Sequence, residues 1–122
     1  MLEELQKVFK AMGQSTRLKI LMLAANRTLC VCELEYILGI TQSAVSQHLR
    51  ILKEANLVIE TREGQWAFYS LNKKYLEKIA GNIKTIFGED LIKCSELSEE
   101  IKRLEYLEKH PIITCKRPDT PH

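Results

Sequence analysis

A chain of 122 residues, 45% hydrophobic and 28% charged, suits one compact domain with a modest core, or one that completes its core by dimerising; a second domain is not expected. The longest purely apolar run, Ile20 to Ala25, is far short of a membrane span, and the charged start MLEELQKVFK lacks the apolar stretch of a secretory signal, so a cytoplasmic protein with no membrane partner is expected. The net charge of +2 excludes little: residues 41 to 80 carry six Lys/Arg against four Asp/Glu and residues 81 to 122 carry seven against eight, a mildly basic middle compatible with nucleic acid.

In chain order, Leu2, Leu5, Phe9 and Met12 fall at helical spacing and Gly13 supplies a stop. Ser15 is the expected cap of a second helix, with Leu18, Leu21 or Met22, and Ala25 on its inner face, ending near Asn26. A third helix is expected from about Val31, with Val31, Leu34, Ile37 and Leu38 inward and Gly39 as its stop. The turn Gly39-Ile40-Thr41 then leads into a helix from Gln42 to about Glu54, and two short helices joined by a three-residue turn containing Gly form a helix-turn-helix.

Past Asn56, LVIETREGQWAFYSL reads as two strands around Glu63-Gly64, a hairpin that in this position makes a wing. Asn72 is the expected N-cap of a helix carrying Leu76, Ile79, Ile83 and Ile86. A further segment with Phe87, Leu91, Cys94, Leu97, Ile101, Leu104 and Leu107 forms a narrow apolar seam suited to a partner's copy. From His110 onward all three prolines appear without periodicity, giving a winged-helix and dimerisation domain over 1–109 and a tail over 110–122. The expected fold is mainly α with a β-hairpin wing, a winged helix-turn-helix homodimer.

On a helical wheel Val45, Leu49 and Leu52 share one side of the second helix of the pair, while Gln42, Ser43, Ser46, Gln47 and Arg50 share the other. Gln can bond bidentately to adenine and Arg to guanine in the major groove, and Ser and Thr reach bases or phosphates. Thr41, as N-cap, leaves free amides facing a phosphate. The plainer reading is an amphipathic helix with a solvated face, against which stands the wing, where Arg62 and Gln65 flank the tip at the height of a neighbouring phosphate or minor groove. His48, at the edge of the apolar side, reads as packed or phosphate-contacting rather than a metal ligand, and Trp66 and Tyr69 as strand packing.

Four cysteines in a reducing compartment point to free thiols, metal ligands or redox sensors rather than a disulfide framework. Cys30 occupies the N-cap slot of the third helix with Glu33 three residues on, the spacing of a capping box. Cys32 points away from Leu34 and Leu38, so core packing does not account for it. Both sulfurs lie at the positive end of the helix dipole, which favours thiolate, the form that binds soft metals or meets oxidants. Residues two apart in a helix diverge by about 200°, so one ion held by both requires the first turn to loosen. The reading also requires that the pair is not sealed within the fold.

The stretches MGQSTRLKIL, LCVCEL, LGITQSAVSQHLRILKEANLV and REGQWAFYSL, in this order over roughly residues 5 to 75, resemble the ArsR/SmtB metalloregulatory repressors. That resemblance implies a winged-helix homodimer that represses a resistance operon from an inverted-repeat operator and leaves the DNA when As(III) or another thiophilic metal ion binds. Arsenic sensors of the family read C-V-C-D-L-C, and Cys30 and Cys32 match the first two cysteines, whereas the third falls at Glu35. A trigonal site would then take a third sulfur from Cys94 or Cys115, either in the same chain or across a dimer, or make do with two sulfurs and an exogenous ligand. The family's zinc site on the helix after the wing uses Asp and His, and NKKYLEKIAGNIK has neither, which points to a soft-ion sensor.

An enzyme is not expected, because no Cys/His spacing suggests nucleophilic catalysis and no Gly-rich phosphate loop is present. Two alternatives retain the winged helix. One senses oxidants or persulfides by pairing Cys30 or Cys32 with Cys94 or Cys115. The other is a protein-interaction module with weak DNA affinity.

Overall fold

The computed structural model describes residues 1–88 and 95–110, so Leu91, Cys94 and Cys115 lie outside the described residues. One compact unit spans Met1–Lys84, and a second begins at Thr85.

The first helix, α1 (Leu2–Met12), opens with Glu3 and Glu4 and closes with Lys10, charges that complement its dipole. It buries Leu5, Val8 and Ala11. Of the residues at helical spacing, Leu5 is inside, but Leu2 is exposed and Phe9 keeps 45% of its surface open. Two adjacent apolar stripes run along this helix, and only one meets the core of its own unit.

Helix α2 (Ser15–Asn26) shows a similar shift. Gln14, rather than Ser15, is the cap, its Oε1 accepting from the Arg17 amide at 2.8 Å. Ile20, Leu21 and Ala24 are buried, while Leu18 and Met22 are exposed. The longer Gln side chain, one residue earlier, reaches the same free amides and leaves Ser15 as the first helical residue.

A two-residue strand, β1 (Leu29–Cys30), comes next and runs straight into α3 (Val31–Leu38). Gly39 ends α3 in the left-handed region at φ 65°, donating its amide to the Glu35 carbonyl at 2.9 Å. Only Leu34 is fully inside; Ile37, expected inward, is exposed, as is Tyr36 at 88%. Thr41 then caps α4 (Gln42–Glu54), which buries Val45, Leu49 and Leu52. Asn56, with φ 63°, turns the chain after α4 while the Leu57 amide bonds back to Leu52.

Strands β2 (Val58–Glu63) and β3 (Trp66–Leu71) pair antiparallel from Val58↔Leu71 to Glu63↔Trp66. The turn is therefore Gly64-Gln65, one residue later than expected, with Gly64 at φ 61° where a two-residue hairpin needs a positive angle. β1 joins the other edge of β3 through Leu29↔Tyr69 and Cys30↔Phe68, so the sheet has three antiparallel strands in the order β1-β3-β2.

Asn72 Oδ1 accepts from the Tyr75 amide at 3.2 Å and starts α5 (Lys73–Phe87), and its Nδ2 ties back to the Asn56 carbonyl at 3.0 Å. The core of this unit is aliphatic: Leu5, Ile20, Leu34, Leu49, Leu52, Leu57 and Ile79 are fully enclosed. In the second unit a short 3₁₀ turn (Ser95–Leu97) precedes α6 (Ser98–Lys109), which buries no residue and stacks Tyr106 on His110 with ring centres 4.4 Å apart. Among the described residues no helix is long and apolar enough to cross a membrane.

Candidate nucleic-acid interface and thiol site

Helix α4 separates its two faces as the wheel requires. Thr41 Oγ1 accepts from the Ala44 amide at 3.1 Å, and Gln42, Ser43, Ser46, Gln47 and Arg50 all stand in solvent above the buried Val45, Leu49 and Leu52. This leaves amide, hydroxyl and guanidinium groups without a protein surface over them, the chemistry that reads base edges and phosphates.

His48 is half-buried and has a partner that periodicity could not reveal. Arg17 of α2 places Nη1 3.4 Å from His48 Nδ1, donates Nε–H to the Ala11 carbonyl at 2.7 Å and reaches the Lys10 carbonyl at 3.4 Å. One guanidinium thus spans the end of α1 and the flank of α4. Desolvation, with the Arg17 charge second, holds the His48 ring below its ordinary pKa. Periodicity does not mark this role of Arg17, because the side-chain partners lie six to thirty-one residues away.

The wing carries a second group that sequence reasoning missed. Glu60 accepts from the Tyr69 hydroxyl at 2.7 Å and from Arg62 Nε at 3.1 Å, and lies 3.5 Å from Lys53 Nζ at the end of α4. Burial, then the Glu60 hydrogen bond, pushes the Tyr69 phenol up to about 12, and the Tyr69 bond above all holds Glu60 below the usual carboxylate range. Arg62 is therefore anchored rather than free, although its side chain remains 67% exposed, and Gln65 sits in the turn itself.

The two thiols have different surroundings. Cys30 is buried at 9% exposure on β1, opposite Phe68, whereas Cys32 in the first turn of α3 is exposed. The capping box forms: the Cys30 amide donates to Glu33 Oε1 at 3.0 Å. Hydrogen bonds from Cys30 hold the Glu33 carboxyl below its ordinary value, and Arg27 adds a weaker attraction from 3.4 Å. Among the described residues no group of three or more His, Cys, Asp and Glu side chains could hold a metal ion.

Residues 14–60, which cover α2 to the start of the wing, match the model of the bacterial regulatory proteins of the arsR family. The arsenic resistance transcriptional regulator ArsR1 of Pseudomonas putida is 31% identical over 100 residues, covering 75% of this chain and 78% of that protein. This chain belongs to the arsR family. The arsenical resistance operon repressor of Bacillus subtilis is 40% identical over 73 residues, 59% of this chain and 70% of that protein. In fold, an ArsR-like transcriptional regulator from a Rhodococcus species superposes with a TM-score of 0.66 over 90% of this chain and 94% of its own, at 24% identity. As an arsR-family protein the chain is a winged-helix, DNA-binding transcriptional regulator and not an enzyme.

Proposed function

We propose that this arsR-family regulator is a repressor that occupies an inverted-repeat operator as a cytoplasmic homodimer and releases it when a thiophilic ion, As(III), Sb(III), Cd(II) or Pb(II), engages Cys30 and Cys32. The observation that carries this reading is where the two thiols sit. Cys30 belongs to the strand paired with wing strand β3, and Cys32 to the helix that packs against the reading helix α4. The names of the relatives in Pseudomonas putida and Bacillus subtilis, both concerned with arsenic resistance, support the choice of effector.

The geometry suggests how the two events oppose each other. Cys30 is extended and Cys32 helical, and in this reading drawing both sulfurs onto one ion loosens the first turn of α3. Opening it breaks the bond from the Cys30 amide to Glu33 and draws Cys30 away from its pairing with Phe68. Both halves of the reading surface then feel the change, the wing through β3 and α4 through α3. A ligand set of three sulfurs would take its third from Cys94 or Cys115, or from an exogenous thiol.

In the DNA-bound state Gln42, Ser43, Ser46, Gln47 and Arg50 face the major groove, Thr41 and His48 the phosphates beside it, and Arg62 and Gln65 the flanking backbone. Replacing both Cys30 and Cys32 by Ser should leave operator affinity intact and abolish release. Fluorescence anisotropy of the reduced protein with arsenite, cadmium or lead is expected to show a 5- to 150-fold loss of affinity in the parent, roughly 1–3 kcal/mol of coupling. A double variant that still releases normally sinks the mechanism. Release by oxidant or polysulfide alone, with no metal bound, would instead favour redox sensing by the same thiols.

A further inference from the structure

We propose that Glu60 is a specificity-determining residue that limits sequence-blind attraction of the reading surface to DNA, by neutralising Lys53 and fixing Arg62 where wing and reading helix meet. The inference rests on DNA binding by this chain and is independent of the effector.

A carboxylate beside a DNA-reading face is costly unless it has work to do, since it repels the phosphates that supply most non-specific affinity. Glu60 is nevertheless held there firmly. It lies on β2, its side chain 14% exposed, directly across the ladder from Tyr69, whose hydroxyl locks Oε1 at 2.7 Å. Arg62, two residues on and so on the same face of the strand, binds Oε2 through Nε at 3.1 Å. Lys53 reaches across from the last turn of α4 to Oε1 at 3.5 Å. Between these elements lies a groove of about 180 Å³, lined by Ser46, Arg50, Lys53, Glu60 and Tyr69.

Lysine is a compact, mobile point charge that binds any phosphate without regard to sequence. Paired with Glu60, Lys53 releases no counterion when DNA arrives. Arg62, held by Nε, sweeps less of the wing surface and meets a phosphate nearer one position. Loss of the Glu60 charge frees both cations while leaving the α4 side chains that read bases untouched.

The test is the salt dependence of binding to a fluorescein-labelled duplex of random sequence, beside a duplex selected from a random pool by the parent protein. For Glu60→Gln the log–log salt slope on the random duplex should steepen by about 0.9, the share of the one cation, Lys53, that the carboxylate neutralised, and the ratio of selected to random affinity should fall several-fold. Lys53→Gln alone should leave the slope unchanged, because its charge is already engaged. In the Glu60→Gln background the same change should flatten the slope by about 0.9.

A merely structural role for Glu60 would weaken both duplexes together and leave the Lys53 cycle flat, which overturns the proposal. An unchanged slope and ratio in folded Glu60→Gln, checked by circular dichroism, does the same. If Glu60→Gln fails to fold, Lys53→Gln alone decides: a slope flattened by about 0.9 in the otherwise native protein shows that Lys53 was never withheld. Failure of the parent to bind either duplex would refute DNA binding itself, a result distinct from these.

Discussion

Arg17 gives the half-buried His48 a partner at the edge of the apolar face of α4. An arginine N–H donating toward Nδ1 requires a neutral ring with its proton on Nε2. That leaves Nε2–H as the donor available to a phosphate. Because folding depresses this pKa, the unfolded chain takes up the proton first as the pH falls. The contribution of His48 is whole above the ordinary value of 6.5 and is lost as the pH drops below it. Proton NMR should place the His48 midpoint below 6.5, and Arg17→Gln should move it upward as the neighbouring positive charge disappears. A midpoint unmoved by Arg17→Gln would separate the two side chains.

Among the elements, the turn between α3 and α4 shows how a single backbone angle sets the reading head. Gly39 ends α3 at φ 65°, and a Cβ built there meets nothing within 4 Å, so a substitution suffers backbone strain alone. Gly39→Ala is expected to lower stability by about 1–2 kcal/mol, measured as a lower urea midpoint with an unchanged slope. An alanine variant as stable as the parent would show that this turn tolerates another conformation. The capping box on α3 belongs to the same scale: it ties the Cys30 amide to Glu33, so the thiol strand and the helix behind it start as one hydrogen-bonded piece.

For the whole molecule, the exposed apolar stripe of α1 is the informative feature. Phe9, Met12 and Leu18 line a groove of about 340 Å³ with Leu76, Ala80 and Ile83 of α5. We propose that a second copy covers this groove, since a repressor on an inverted repeat needs two reading helices for two successive major grooves. Phe9→Glu combined with Leu18→Glu should convert a dimer to a monomer in light scattering and reduce operator affinity by at least about tenfold, since each half-site then binds alone. A double variant that stays dimeric places the dimer face elsewhere.

Much of this protein was legible in local pattern. Val45, Leu49 and Leu52 mark the inner face of α4, Thr41 its cap, Gly39 the turn, and the β-branched and aromatic run after Asn56 the wing; each depends on residues no more than a few positions apart, and helical or strand periodicity records such relations directly. Where two apolar stripes ran side by side, as on α1 and α2, periodicity could not say which would meet the core, and Phe9 and Leu18 proved to be outside. The pairing of Cys30 with Phe68, the unequal burial of the two thiols, the reach of Arg17 to His48 and the seat of Glu60 beneath Tyr69 were decided only by tertiary structure. Those relations join residues brought close by the closing of the chain, and a hydrogen bond between distant positions leaves no spacing in the sequence to read.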